Sequence, residues 1–149
     1  MIGCIVTGHG EFAPGLSKAL TMIAGKQENF QVIAFEEGLA LDTYEENIRA
    51  TLEGLLSETE GVLIFTDLLG GTPFRTAMMA SSTFENVEIL TGTNLPMLIE
   101  IGLMRTFESD VKSLAKRAVE VGTEGIQHVV LEDAMDEADD SLDNDEEGI

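Results

Sequence analysis

Four stretches of the chain are short, rich in β-branched residues and apolar at successive positions: IGCIVT (2–7), FQVIAF (30–35), GVLIFT (61–66) and NVEIL (86–90). Runs of this kind lack the two-residue alternation of a half-exposed strand and suit strands covered on both faces. A fifth, IQHVVL (126–131), predicts a last strand. Between them the period changes to that of a helix. Leu16, Ala19, Leu20 and Ile23 form one stripe, with Pro14 near its start and Gly25 just past its end. Tyr44, Ile48, Leu52, Leu55 and Leu56 form a second, opened by Asp42 with Glu45 three residues on, a capping-box pattern. A third helix is predicted from Thr72-Pro73 to about Ser82. Two more span Pro96–Arg105 and Asp110–Val121, the latter with Val111, Leu114, Ala115, Ala118 and Val119 on one face.

Strands that alternate with helices imply an α/β fold of the flavodoxin-like kind: a doubly wound parallel sheet with helices on both faces. Such sheets bind ligands at the carboxyl ends of their strands. Four loops therefore matter: Gly8–Glu11, Glu36–Leu41, Asp67–Thr72 and Thr91–Leu95.

At 149 residues the chain is expected to be a single domain, over residues 1–131, that buries roughly two-thirds of its unfolded surface. Charge divides it. Residues 132–149 hold ten acids and no Lys or Arg, and are expected to form a disordered tail; the first 131 residues hold 18 acids against 8 bases. Even that body repels a phosphate backbone, which argues against nucleic acid and for a basic protein partner. DNDEEG (143–148) lacks the ligand order and the closing glutamate of a calcium loop. No apolar run approaches the roughly 20 residues that cross a bilayer, and no signal peptide is visible. The single cysteine, Cys4, lies within a strand pattern and reads as a small buried hydrophobe, in keeping with a reducing cytoplasm.

Two of the four loops carry chemistry. The first places His9 between Gly8 and Gly10; the third reads TDLLGGTPF (66–74). In a parallel sheet the first and third strands commonly lie side by side, which brings His9 and Asp67 within reach. An aspartate bonded to one ring nitrogen sets the tautomer, leaves the other nitrogen's lone pair outward and stabilises positive charge on the ring. Backbone N–H groups of Gly70, Gly71, Phe74 and Arg75 would form an anion cradle at a helix N-terminus, with Thr72 either capping that helix or donating its hydroxyl to the anion. A nucleophilic histidine beside an anion nest suits phosphoryl transfer, and transfer from another phosphohistidine needs no metal or cofactor. Taken singly, Asp67 is a turn-former and GGTPF a helix start; their convergence on one sheet edge is the signal. His128, mid-strand by pattern, reads as structural.

GHGEFA (8–13) also fits the dinucleotide fingerprint, with Glu36 and Glu37 placed to hold a ribose. Against that reading, Pro14 interrupts the helix start and His9 stands where the pyrophosphate must pass. A response-regulator receiver would carry its phosphorylated aspartate at Asp67, but needs an acidic pair after the first strand, where this chain has TGHG.

With GHG (8–10), DLLGGTPF (67–74), TGTNLPML (91–98) and AVEVGTEGI (118–126) in order, the chain resembles the IIA component of the mannose family, with its fructose and sorbose members, of the bacterial phosphotransferase (PTS) sugar-uptake system. The resemblance runs from Met1 to about Leu131. It implies that His9 takes a phosphoryl group from the carrier HPr and passes it to a IIB protein, which serves IIC and IID membrane subunits. It implies that Asp67 orients His9 and that Thr72 sits at the phosphoryl group. Leu68 and Leu69 would then offer apolar docking contact beside the site. It further implies a homodimer in which the last strand, antiparallel and exchanged, joins the other subunit's sheet. The chain ends where some family members continue into IIB, so a free-standing IIA is expected; the acidic tail matches nothing in the family pattern. The phosphoryl-donor domain of dihydroxyacetone kinases shares the architecture and the early histidine, and a purely regulatory phosphoprotein would use the same residues.

Overall fold

The computed structural model describes residues 1–141. Four parallel strands, β1 (Gly3–His9), β2 (Phe30–Phe35), β3 (Val62–Phe65) and β4 (Val87–Leu90), form one sheet in the order β2-β1-β3-β4. Helices α1 (Phe12–Ala24), α2 (Leu41–Leu56), α3 (Thr72–Ser81), α4 (Leu95–Met104) and α5 (Val111–Glu124) wrap it, and α6 (Leu131–Ser141) follows.

Side-chain alternation along the central strands splits the core in two. Cys4, Val6, Leu63 and Phe65 face α1, α4 and α5, where Leu20, Leu98, Ile101 and Leu114 cover them. Ile5, Val62 and Ile64 face α2 and α3, against Tyr44, Ile48, Leu52 and Ala77. The two apolar faces of β1 and β3 are thus both used, as their continuous apolar runs require. The edge strands differ. β2 leaves Gln31 and Val32 exposed, and β4 is only half-covered over most of its length, because nothing in the described chain lies beyond them.

Three local features call for comment. Asp42 does not cap α2: the helix starts one residue earlier, after Ala40, and makes no side-chain cap. Asp42 lies in the first turn, where its charge suits the helix dipole, and Glu45 pairs with Arg49 at 3.0 Å instead. Residues 126–130 form no strand within this chain, since neither sheet edge lies against them; Ile126, Val129 and Val130 are exposed, and so is His128. The described part of the acidic segment forms the helix Leu131–Ser141. Glu132 and Asp133 in the first turn complement the dipole, and Leu131 and Met135 stand one turn apart, both exposed. The remainder of the predicted tail, 142–149, lies outside the described residues.

One core residue had no signal in the pattern. Arg105, just past α4, is 1 % exposed. Its guanidinium donates to Ile2 O (3.1 Å), Gln27 Oε1 (3.3 Å) and Glu28 O, and lies 5.8 Å from the centre of the Phe30 ring. It therefore binds the starts of β1 and β2 to the end of α4 through neutral acceptors. Arg105→Met keeps much of the apolar stem but orphans the buried Ile2 carbonyl and removes the part-buried bonds to Gln27 and Glu28, and should cost about 3 kcal/mol. A urea midpoint equal to that of the unsubstituted protein would contradict this.

Candidate functional site: the His9–Asp67 pair

β1 runs two residues beyond its apolar pattern, so His9 is the last residue of the strand rather than part of the turn, in register with Phe35 of β2. The chain then leaves the sheet at Gly10, whose φ of +54° lies in the left-handed region and whose N–H donates to Phe35 O at 2.8 Å. Asp67 follows β3 by two residues. Because β1 and β3 are neighbours, its carboxylate reaches the end of β1.

The contact is direct and doubled. Asp67 Oδ2 accepts the backbone N–H of His9 at 2.9 Å and lies 2.7 Å from His9 Nδ1. Nδ1 therefore carries the proton, and Nε2 keeps its lone pair. The His9 side chain is 48 % exposed, that of Asp67 only 13 %. Gly8 permits the approach: a Cβ there would stand 2.6 Å from Phe12 Cδ1 and 3.0 Å from Asp67 Cγ. Phe35 meets the imidazole edge-to-face, with ring centroids 5.9 Å apart at 76°. Neither Gly8 as a steric gate nor Phe35 was singled out from the sequence. The only signal for Phe35 was its place at the end of the second apolar run, opposite the end of the first.

Burial pushes the Asp67 carboxyl up, but the N–H and ring of His9 outweigh it and hold its pKa below the ordinary 3.8. A carboxyl depressed on folding stabilises the native state above its unfolded-state pKa, and that contribution fades as pH falls through the lower folded value. The stability gap between the unsubstituted chain and Asp67→Asn should accordingly narrow on acidification below about pH 4. Urea midpoints of both proteins from neutral pH to pH 3 check it, and a gap that widens on acidification would contradict it.

Around the histidine, Leu68–Gly71 makes a turn closed by Gly71 N–H to Leu68 O at 3.3 Å, with Gly70 at φ +79°. Gly71 also lies against the imidazole, since a Cβ on it would be 3.1 Å from His9 Cε1. It is Gly71, not Thr72, that precedes the first turn of α3; Thr72 and Pro73 are the first two helical residues. The predicted cradle is accordingly reduced. Gly71 N–H serves the turn, and Arg75 N–H donates to Gly71 O at 3.0 Å. The amides of Gly70, Thr72 and Phe74 have no protein partner among the described residues, nor has the Thr72 hydroxyl. These four donors, at the N-terminus of a ten-residue helix, face an anion favourably. Leu68 and Leu69 are 59 % and 72 % exposed. Gly8 lies inside the strand instead of turning the chain, which removes the tight first turn of a dinucleotide fingerprint.

Elsewhere the chemistry is thin. The Cys4 thiol is fully buried, and burial pushes its pKa up to about 12. Among the described residues no three metal-ligating side chains cluster, and no helix is long and apolar enough to cross a membrane.

The fold is thus a parallel α/β sheet with an aspartate-paired histidine at its carboxyl edge and a helix N-terminus beside it. The sequence matches the family described as PTS system fructose IIA component (EIIA-man) over residues 3–119, and the chain belongs to that family. It is 36% identical over 126 residues to the PTS system mannose-specific EIIAB component of Escherichia coli, covering 85% of this chain but 39% of that one. The chain thus spans well under half the length of that relative. It is 28% identical over 135 residues to the PTS system fructose-specific EIIA component of Bacillus subtilis, covering 87% of this chain and 92% of that one. Among solved structures, phosphotransferase system component EIIA from Streptococcus agalactiae superposes with a TM-score of 0.74 at 34% identity, over 86% of this chain and 97% of the other.

Proposed function

We propose that this chain is a phosphocarrier of a mannose-family sugar transport system, in which His9 accepts a phosphoryl group from phospho-HPr and hands it to a IIB protein. The observation that carries the reading is the Nδ1–Asp67 contact, which leaves the lone pair of Nε2 on a half-exposed ring. That lone pair attacks phosphorus as the donor's N–P bond breaks, and the donor imidazole departs with the bonding pair. Asp67 stabilises the positive charge that forms on the His9 ring. Thr72 and the amides of Gly70 and Phe74 bind the equatorial oxygens of the group in flight. Both nitrogens are histidine nitrogens, so the step is close to isoenergetic and runs either way. The second transfer, to IIB, repeats the chemistry in reverse.

Leu68 and Leu69 supply the apolar contact for both partners, and the acidic body favours a basic carrier surface. The reading places the protein in the cytoplasm, with IIC and IID reached only through IIB. Incubation with phosphoenolpyruvate, Enzyme I and HPr should add one phosphoryl group, stable in base and lost in acid, that a cognate IIB then removes. Failure to gain that mass ends the proposal.

The reading extends to a homodimer. Ile126, Val129 and Val130 are exposed apolar residues in a segment outside the helices and strands, and β4 ends the sheet of the described residues. Exchange of 126–131 between two copies would satisfy both. Truncation after Gly125 should then convert a dimer to a monomer in sedimentation equilibrium; a full-length monomer at micromolar concentration would overturn it.

A further inference from the structure

A single hydrogen bond fixes a ring poorly, because the ring still swings about the line of that bond. His9 is held at Nδ1 by Asp67, its Cε1 lies beside Gly71, where a Cβ would come within 3.1 Å, and Phe35 meets the ring edge-to-face. The strand register makes that neighbour inevitable: His9 and Phe35 are opposed across β1 and β2, so their side chains leave the same face of the sheet.

Phe35 is itself braced. The Tyr44 ring lies 4.7 Å from it, centroid to centroid, at 37°. Thr7 Oγ1 donates to Ile33 O at 2.6 Å, so the short contact between Thr7 and the Tyr44 hydroxyl has Tyr44 as donor. Tyr44 is wholly buried and anchored at its far end. The line from the core to the imidazole is therefore Thr7, Tyr44, Phe35, His9, all between β1, β2 and α2.

We propose that Phe35 is a positioning residue for His9: its ring, backed by Tyr44, sets the tilt of the imidazole and keeps Nε2 aimed outward.

The kinetic half of the test rests on the phosphocarrier reading; the spectroscopic half does not. In the full chain labelled with nitrogen-15, the His9 ring nitrogens report the tautomer directly. The unsubstituted protein should show Nδ1 protonated and Nε2 bare. Phe35→Leu should move both signals toward a tautomer average and lower the rate of uptake from phospho-HPr roughly two- to tenfold. Phe35→Tyr, which restores an aromatic ring, should recover both. Phe35→Met, closer in length, replaces the leucine variant if that is unfolded, with the same outcomes expected. Ile33→Ala loosens the same side of the core one register back, and should lower the melting temperature without moving the ring signals. Unchanged ring signals in Phe35→Leu overturn the proposal, as does an equal change in Ile33→Ala. Ring signals that shift in a protein HPr does not label would uphold the positioning role and reject the carrier.

Discussion

His9→Gln should take up no base-stable phosphate from phospho-HPr, while melting within a few degrees of the unsubstituted protein. Glutamine matches histidine in reach, and its carboxamide can still meet the Asp67 carboxylate that now receives both the amide and the ring of His9. It has no nitrogen lone pair with nucleophilic character, so the loss is complete and not graded. The fold should notice little, since the side chain is about half-exposed and the backbone N–H bond to Asp67 survives. Intact mass before and after incubation with phosphoenolpyruvate, Enzyme I and HPr decides the matter. Label that persists in the variant would move the acceptor elsewhere.

Asp67→Asn should lower the transfer rate by roughly 10²- to 10³-fold with little change in the HPr concentration that half-saturates it. Two effects combine. A carboxamide can turn its NH₂ toward Nδ1, which then holds the lone pair and leaves the proton on Nε2, the wrong nitrogen for attack. It is also neutral, so the cationic ring gains no charge partner in the transfer. The loss should be smaller than in a fully enclosed triad, because water reaches a ring that is 48 % exposed and replaces part of the missing interaction. Stopped quench-flow on the two proteins separates rate from affinity. A change confined to affinity would make Asp67 a docking residue instead.

The parts of the fold that were legible from residues are those in which one local pattern has one outcome. Apolar runs covered on both faces describe β1 and β3 well, and their adjacency follows from the usual winding of a parallel sheet, which was enough to bring residues 9 and 67 together. Edges were less legible. FQVIAF reads as buried, yet β2 has only one neighbour and exposes Val32, because composition carries no statement about where a sheet stops. IQHVVL has the composition of a strand but no strand partner among the described residues, and a strand exists only by pairing. In the site, charge and glycine signals were visible, while Phe35 was not, because half-buried phenylalanines look alike until register places one opposite a histidine. The shift of the α3 cap from Thr72 to Gly71 has a similar origin: an extended glycine can precede a helix without a side-chain bond. Arg105 was invisible for the opposite reason, since a lone arginine after a helix ordinarily ends in solvent.

The double use of Asp67 Oδ2 has a consequence for how the site meets its two partners. One oxygen binds both the main chain and the ring of the same residue, so the carboxylate that fixes the tautomer is itself tied to the end of β1. The tautomer is therefore set when the chain folds and not when a partner arrives. Each encounter finds the same ring nitrogen bare. A carrier of the kind proposed, which receives from one protein and delivers to another, then presents the same nucleophilic nitrogen to both.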